Sequence, residues 1–116
     1  MRRTHRSSTV LQRAAEFFEE DPSRRCRGAY ARDEKGASLD DVYNDRTDLD
    51  KGVSFCVLGA CAKFGGFGPK LDACENFIQR VLDSPFFAWA DAENTSTGEV
   101  VDILNAAAEL AKAEGL

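Results

Sequence analysis

The run Val53-Ser54-Phe55-Cys56-Val57-Leu58-Gly59-Ala60-Cys61-Ala62-Lys63-Phe64 carries the clearest periodicity in this sequence. Val53, Cys56, Val57, Ala60, Cys61 and Phe64 recur at the three-four spacing that lines one face of an α-helix. Phe55 and Leu58 fall off that stripe, so the helix is apolar on more than one side and reads as central. Asp50 is its expected N-cap and Gly65 its expected C′ residue. Gly59 and Ala60 leave room for a neighbouring element to approach closely.

Toward the C-terminus the same helical spacing continues. Pro69 or Lys70 opens a helix whose apolar face is Leu71, Cys74, Phe77, Ile78, Val81 and Leu82. Ser84-Pro85 reads as an N-cap and first-turn proline for a short helical turn through Phe86, Phe87 and Trp89. Ser96 with Glu99 forms a capping box before the last helix. Val100, Ile103, Leu104, Ala107, Ala108 and Ala111 stripe that helix, which runs to Ala113 and is stopped by Gly115. The glycine-rich loop Gly65-Gly66-Phe67-Gly68-Pro69 lacks the phosphate-loop pattern and follows a helix, so it reads as a connection with Phe67 at its tip.

Toward the N-terminus the signals weaken. Residues 40–50 are acidic and irregular, with Val42, Tyr43 and Leu49 as anchors. They fail as a calcium loop, because Gly52 and Gly59 stand where oxygen ligands are needed. Ala29-Tyr30-Ala31-Arg32, the turn Asp33-Glu34-Lys35-Gly36 and Ala37-Ser38-Leu39 suggest a small hairpin. Thr9, with Gln12 three residues on, is the expected cap of a first helix carrying Val10, Leu11, Ala14, Ala15 and Phe18 to about Glu20. The expected architecture is mainly α. It is a compact bundle of about four helices with a small β-hairpin between the first two, in one domain over 9–114 behind a disordered basic tail, 1–8.

Composition agrees with one domain: 116 residues, 43% apolar and 30% charged. No run of 18 apolar residues suggests a membrane span, and no apolar stretch follows the basic start, so a secretory signal is not expected and the cytoplasm is. The net charge of -5 is split. Residues 1–32 carry eight arginines against four acids, while the remainder carries seven basic and sixteen acidic side chains. Such a split biases association, but overall acidity weighs against general phosphate binding.

Cys26, Cys56, Cys61 and Cys74 form no C-x-x-C pair, and Cys56 and Cys61 would stand about 140° apart on a helix. The single histidine, His5, lies in the tail, so no metal site is expected and the cysteines read as small buried apolar residues. The carboxylate neighbours Asp40/Asp41, Asp48/Asp50 and Asp91/Glu93 lie in polar segments, and Ser84 and Ser96 have capping roles. No catalytic residue and no cofactor are assigned.

Three motifs occur in order: Cys26-Arg27-Gly28-Ala29-Tyr30-Ala31-Arg32-Asp33, Phe55-Cys56-Val57-Leu58-Gly59-Ala60, and Trp89-Ala90-Asp91-Ala92 before a serine-capped helix. Together they resemble a family of short, uncharacterised bacterial and phage proteins, over about residues 9 to 111. The chain departs from that pattern at Ala90, where asparagine is usual, and at Glu93-Asn94, where Pro-Gly is usual. The resemblance implies origin and architecture and carries no activity.

The expected function is a non-catalytic protein-interaction module, in the form of a phage or mobile-element accessory protein binding a host factor. Arg24, Arg25, Arg27, Phe67 and Trp89 are the contact candidates, because arginines and aromatics anchor interfaces. The alternatives are a nucleic-acid-associated or DNA-mimicking regulator and a small hydrolase-like enzyme using carboxylates. A homodimer pairing basic and acidic regions is compatible with each.

Overall fold

A computed structural model describes residues 6–41 and 46–116. Its helices are α1 (Ser7–Glu20), α2 (Val57–Gly65), α3 (Pro69–Val81), α4 (Phe86–Ala90) and α5 (Thr97–Ala113). Two short 3-10 turns cover Pro22–Arg24 and Leu49–Lys51. The strands are β1 (Ala31–Arg32), β2 (Asp40–Asp41), β3 (Arg46–Thr47) and β4 (Ser54–Phe55). The chain is mainly α, as expected.

Helix α5 follows its sequence signals throughout. The Ser96 hydroxyl accepts the Glu99 N–H at 3.1 Å. At the other end the Gly115 N–H donates to Lys112 O and the Leu116 N–H to Ala111 O, with Gly115 at φ 76°. That pair of bonds is a Schellman closure, which only a residue tolerant of positive φ permits without strain. Replacing Ser96 by alanine is expected to cost about 1 kcal/mol, read as a lower urea midpoint. An unchanged midpoint would contradict the capping role.

Helix α1 packs on α5, α2 and α3, and α2, buried from Val57 to Ala62, is apolar on more than one side as expected. Val10, Leu11, Ala14, Ala15 and Phe18 are buried, joining Phe55, Ile78 and Leu104 in one contiguous core. The helix starts at Ser7, two residues before the expected Thr9 cap, and its N-cap Arg6 makes no side-chain cap bond. Tertiary contact replaces the cap: the Ser8 N–H and hydroxyl both reach the Leu116 carbonyl at 3.4 Å, and Ser7 and Ser8 are buried. Residues 1–5 of the expected tail lie outside the described residues.

Helix α2 is shorter than its periodicity predicts. It begins at Val57, not Val53, because Ser54–Phe55 is a strand paired antiparallel with Ala31–Arg32. Val53 is exposed, and Asp50 belongs to the 3-10 turn instead of capping the helix. The cap is Cys56, whose Sγ accepts the Gly59 N–H at 3.3 Å. Extended backbone lets the Phe55 side chain enter the core while its carbonyl and the Cys56 N–H bond to the connector between α1 and β1. Periodicity alone does not register that pairing.

The expected hairpin exists in part. Its Asp33–Ala37 turn is closed by Asp33 N–H to Ala37 O at 2.9 Å, and Leu39 N–H reaches Ala31 O. Only Arg32 and Ser38 bridge across it, because β1 pairs mainly with β4, while β2 pairs with β3. Two of the expected anchors, Val42 and Tyr43, lie outside the described residues. At α4 the expected Ser84 cap is replaced by Gln79, whose Oε1 accepts the Phe86 N–H at 2.8 Å and whose Nε2 donates to Ser84 O at 2.9 Å. No helix among the described residues is long and apolar enough to cross a membrane.

Candidate functional site

The connector between α1 and β1 runs extended past the start of α2. Cys26 N–H donates to Phe55 O at 2.9 Å, and Cys56 N–H donates to Tyr30 O at 3.2 Å. Gly59 makes this approach possible: a Cβ on it would stand 1.8 Å from the Tyr30 carbonyl oxygen. On the far side the short helix α4 closes in, tied to the connector by Arg25. Its Nη1 donates to Thr95 O at 2.9 Å and its Nη2 to Ala90 O at 3.3 Å.

A cleft of about 240 Å³ lies between connector, α2 and α4. Buried Ala29, Val57, Phe86 and Ala90 give it an apolar lining, and half-buried Tyr30 and exposed Phe87 border it. Two carboxylates, Asp40 and Asp91, also line it, and no basic side chain does among the described residues. Asp40 is held in place: both its oxygens accept the Tyr30 N–H at 3.1 Å, and Oδ1 accepts the Thr47 hydroxyl at 3.0 Å. Asp91 sits at the C-cap of α4.

Among the described residues of the lining, the Cys56 thiol is the one soft nucleophile. Burial pushes it up to about 11 from an ordinary 9, despite the favourable Gly59 N–H. At pH 8 its thiolate fraction is therefore about a hundredfold lower than in the unfolded chain, so it is a poor nucleophile there. Alkylation of Cys56 by iodoacetamide, followed by mass spectrometry, should be slower in the folded protein by about that factor. Equal rates would contradict its burial. Because the folded value lies above the unfolded one, this thiol's contribution to stability is complete below pH 9 and is lost as pH rises toward 11.

All four cysteines are free thiols. Cys61 and Cys74 are buried where α2 meets α3, and the Cys74 side chain, together with burial, holds Cys61 well above the ordinary thiol range. Among the described residues no cluster of three His, Cys, Asp or Glu side chains could hold a metal ion.

The five sequence-derived contact candidates do not form one patch. Arg24 closes α1: its Nη1 donates to Phe17 O at 3.1 Å, and its guanidinium lies 4.5 Å from the Phe17 ring centroid. Arg25 is the tie just described. Arg27 is exposed but also reaches Glu93 O at 3.3 Å and Thr95 O at 3.2 Å. Trp89 is half-buried against Phe86, with ring centroids 6.0 Å apart. Phe67 is 46% exposed and meets Tyr30 edge-to-face at 5.5 Å, which extends the rim of the cleft.

A family model described as Family of unknown function (DUF6197) matches residues 2–110. The chain belongs to that family. No curated protein and no solved structure matches the chain. Every residue lining the cleft falls inside the span that DUF6197 covers.

Phe87 belongs to the aromatic turn singled out in the sequence but is not among the five contact candidates. It is 59% exposed while Phe86 is buried. The signal was available: adjacent residues on a helix point about 100° apart, so a single turn cannot bury both rings against one core. That Asp40 and Asp91 line the same cleft had no such signal, since their segments come to it only through the fold.

Proposed function

We propose that this chain is a non-catalytic protein-contact module that engages its partner through the aromatic rim of the cleft. The observation that carries the reading is Phe87, 59% exposed beside an open, apolar-lined depression, with Phe67 packed edge-to-face on Tyr30 of the same lining. Covering the exposed half of such a ring, on the order of 100 Å², is worth roughly 2–3 kcal/mol. Two rings of this kind suffice to anchor an interface, and aromatic anchors seated in or beside pockets are where binding energy concentrates. Val53 and Leu116 are also exposed; neither lines the cleft, and single exposed apolar residues are ordinary.

The nucleic-acid alternative is less well supported. Arg24 and Arg25 use guanidinium N–H groups on backbone carbonyls of their own chain, which leaves fewer donors for phosphate. Unpaired thiols, two of them sealed in the core, suit a reducing compartment such as the cytoplasm. A host factor met by a phage or mobile-element accessory protein is the partner this reading favours.

The test compares the wild-type chain with a Phe67→Ser/Phe87→Ser variant in affinity capture from the native host. Each ring also packs about half its surface on Tyr30 or Phe86, so the variant should lose on the order of 2–4 kcal/mol, and capture is compared at a temperature where circular dichroism shows both chains folded. The expected result is a protein retained by wild type and lost by the variant. Equal recovery on both would contradict the reading.

A further inference from the structure

We propose that the cleft between the 28–30 connector, the start of α2 and α4 receives an arginine side chain of the partner protein. The inference rests on the protein-contact reading above and names the group that the cleft recognises. Its first support is charge. Asp40 and Asp91 line the cleft and no basic side chain does among the described residues. The start of α2 opposes them with the partial charge of a helix N-terminus, about half a unit, and the Cys56 thiol already accepts one of its N–H groups. Arg25, whose Nη2 bonds the Ala90 carbonyl, also feels the Asp91 charge. Two full negative charges still outweigh that one positive charge and the half unit of the helix start together, so the cleft favours a cation.

The second support is the chemistry of the lining. Tyr30, Phe86 and Phe87 supply aromatic surface next to the carboxylates. A planar guanidinium stacks on aromatic rings while its fork of N–H donors meets a carboxylate, a combination that the compact ammonium of lysine matches less well. The Asp91 side chain makes no hydrogen bond or ion pair among the described residues and feels the Arg25 guanidinium only through space, so its oxygens remain open to a second donor fork. Asp40 is fixed by two neutral donors, the Tyr30 N–H and the Thr47 hydroxyl, so it presents its charge from a constant position.

The third support is size. At about 240 Å³ the cleft is smaller than the roughly 300–1,000 Å³ of sites that enclose drug-sized ligands. It is open to solvent on one side and suits one long side chain entering from a docked surface. Exposed Phe87 on its border, with Phe67 beyond Tyr30, would then cover the flanking backbone of the partner.

The experiment titrates the full chain with a blocked pentapeptide, Ala-Ala-Arg-Ala-Ala, and follows backbone amide NMR. Matched peptides carry citrulline, the neutral isostere, or glutamate in place of arginine. Saturable shifts are expected at Tyr30, Val57, Phe87 and Asp91 with the arginine peptide, and binding at least about tenfold weaker with citrulline. Asp91→Asn should weaken the arginine peptide about threefold or more while the chain stays folded at the titration temperature, and added salt should weaken it further. Equal binding of arginine and citrulline would reduce the cleft to an apolar dent and overturn the proposal. Tighter binding of glutamate, or no shift in the lining with any peptide, would overturn it as well. A captured protein that depends on Phe67 and Phe87, found together with a cleft indifferent to arginine, would leave the contact module standing and remove only this inference.

Discussion

Gly59→Ala is expected to destabilise the fold by at least about 3 kcal/mol, read from urea unfolding. Two opposing effects meet at this position. Alanine is a better helix former than glycine by roughly 1 kcal/mol, and Gly59 lies inside α2. Against that gain, the new Cβ would sit 1.8 Å from the Tyr30 carbonyl oxygen and 2.8 Å from its carbon. The obstacle is backbone, so no side-chain rotation relieves it. The connector must move off α2, and that movement breaks the Cys56 N–H bond to Tyr30 O and widens the cleft. Packing therefore outweighs propensity. A loss below about 1 kcal/mol, or a gain, would contradict the close approach.

Arg25→Ala is the second large effect, with an expected loss of about 2–3 kcal/mol. Its two charge-assisted bonds join the turn after α1 to Ala90 at the end of α4 and to Thr95 before α5, across 65 and 70 residues of chain. Burial pulls its pKa below the ordinary arginine value, chiefly by desolvation with the nearby Arg27 adding to it, and its Nε is buried without a partner among the described residues. The guanidinium is thus held at a cost that the two carbonyls offset. Arg25→Lys should restore less than half of the loss, because one ammonium cannot reproduce a fork aimed at two carbonyls. Trp89, the only tryptophan, lies in α4 beside one of them, so its fluorescence should report the loosening directly. Full recovery with lysine would contradict the two-carbonyl geometry.

The helical part of the fold was legible because its periodicities are long and its stops are chemical. Ser96 and Gly115 bracket α5, Pro69 opens α3, and each acts within a few residues of itself. The errors arose where a distant segment competes with local pattern. Val53 fits a helical stripe perfectly well, yet pairing with Ala31–Arg32 makes Ser54–Phe55 a strand and leaves Val53 in solvent. Thr9 and Ser84 have good capping chemistry, but the Leu116 carbonyl and the Gln79 side chain displace them.

The site was less legible than the fold. The motif around Cys26–Asp33 and the helix carrying Gly59 were both singled out, and the structure brings them together, with the close approach that Gly59 allows. Arginine content does not reveal which guanidinium groups stay within the chain. Arg24 and Arg25 resemble surface donors in sequence and serve as ties in the fold. The cleft's negative lining depends on Asp40 and Asp91, 51 positions apart, both facing one cleft, which no local pattern encodes.

The most direct test of a protein-contact role is a photoreactive benzoylphenylalanine placed at position 87 of the full chain in its native host. A control chain carries the same group at position 109, an exposed site on the outer face of α5. The account expects a discrete covalent adduct with one protein from position 87 and none from position 109. The same diffuse labelling from both positions would contradict it.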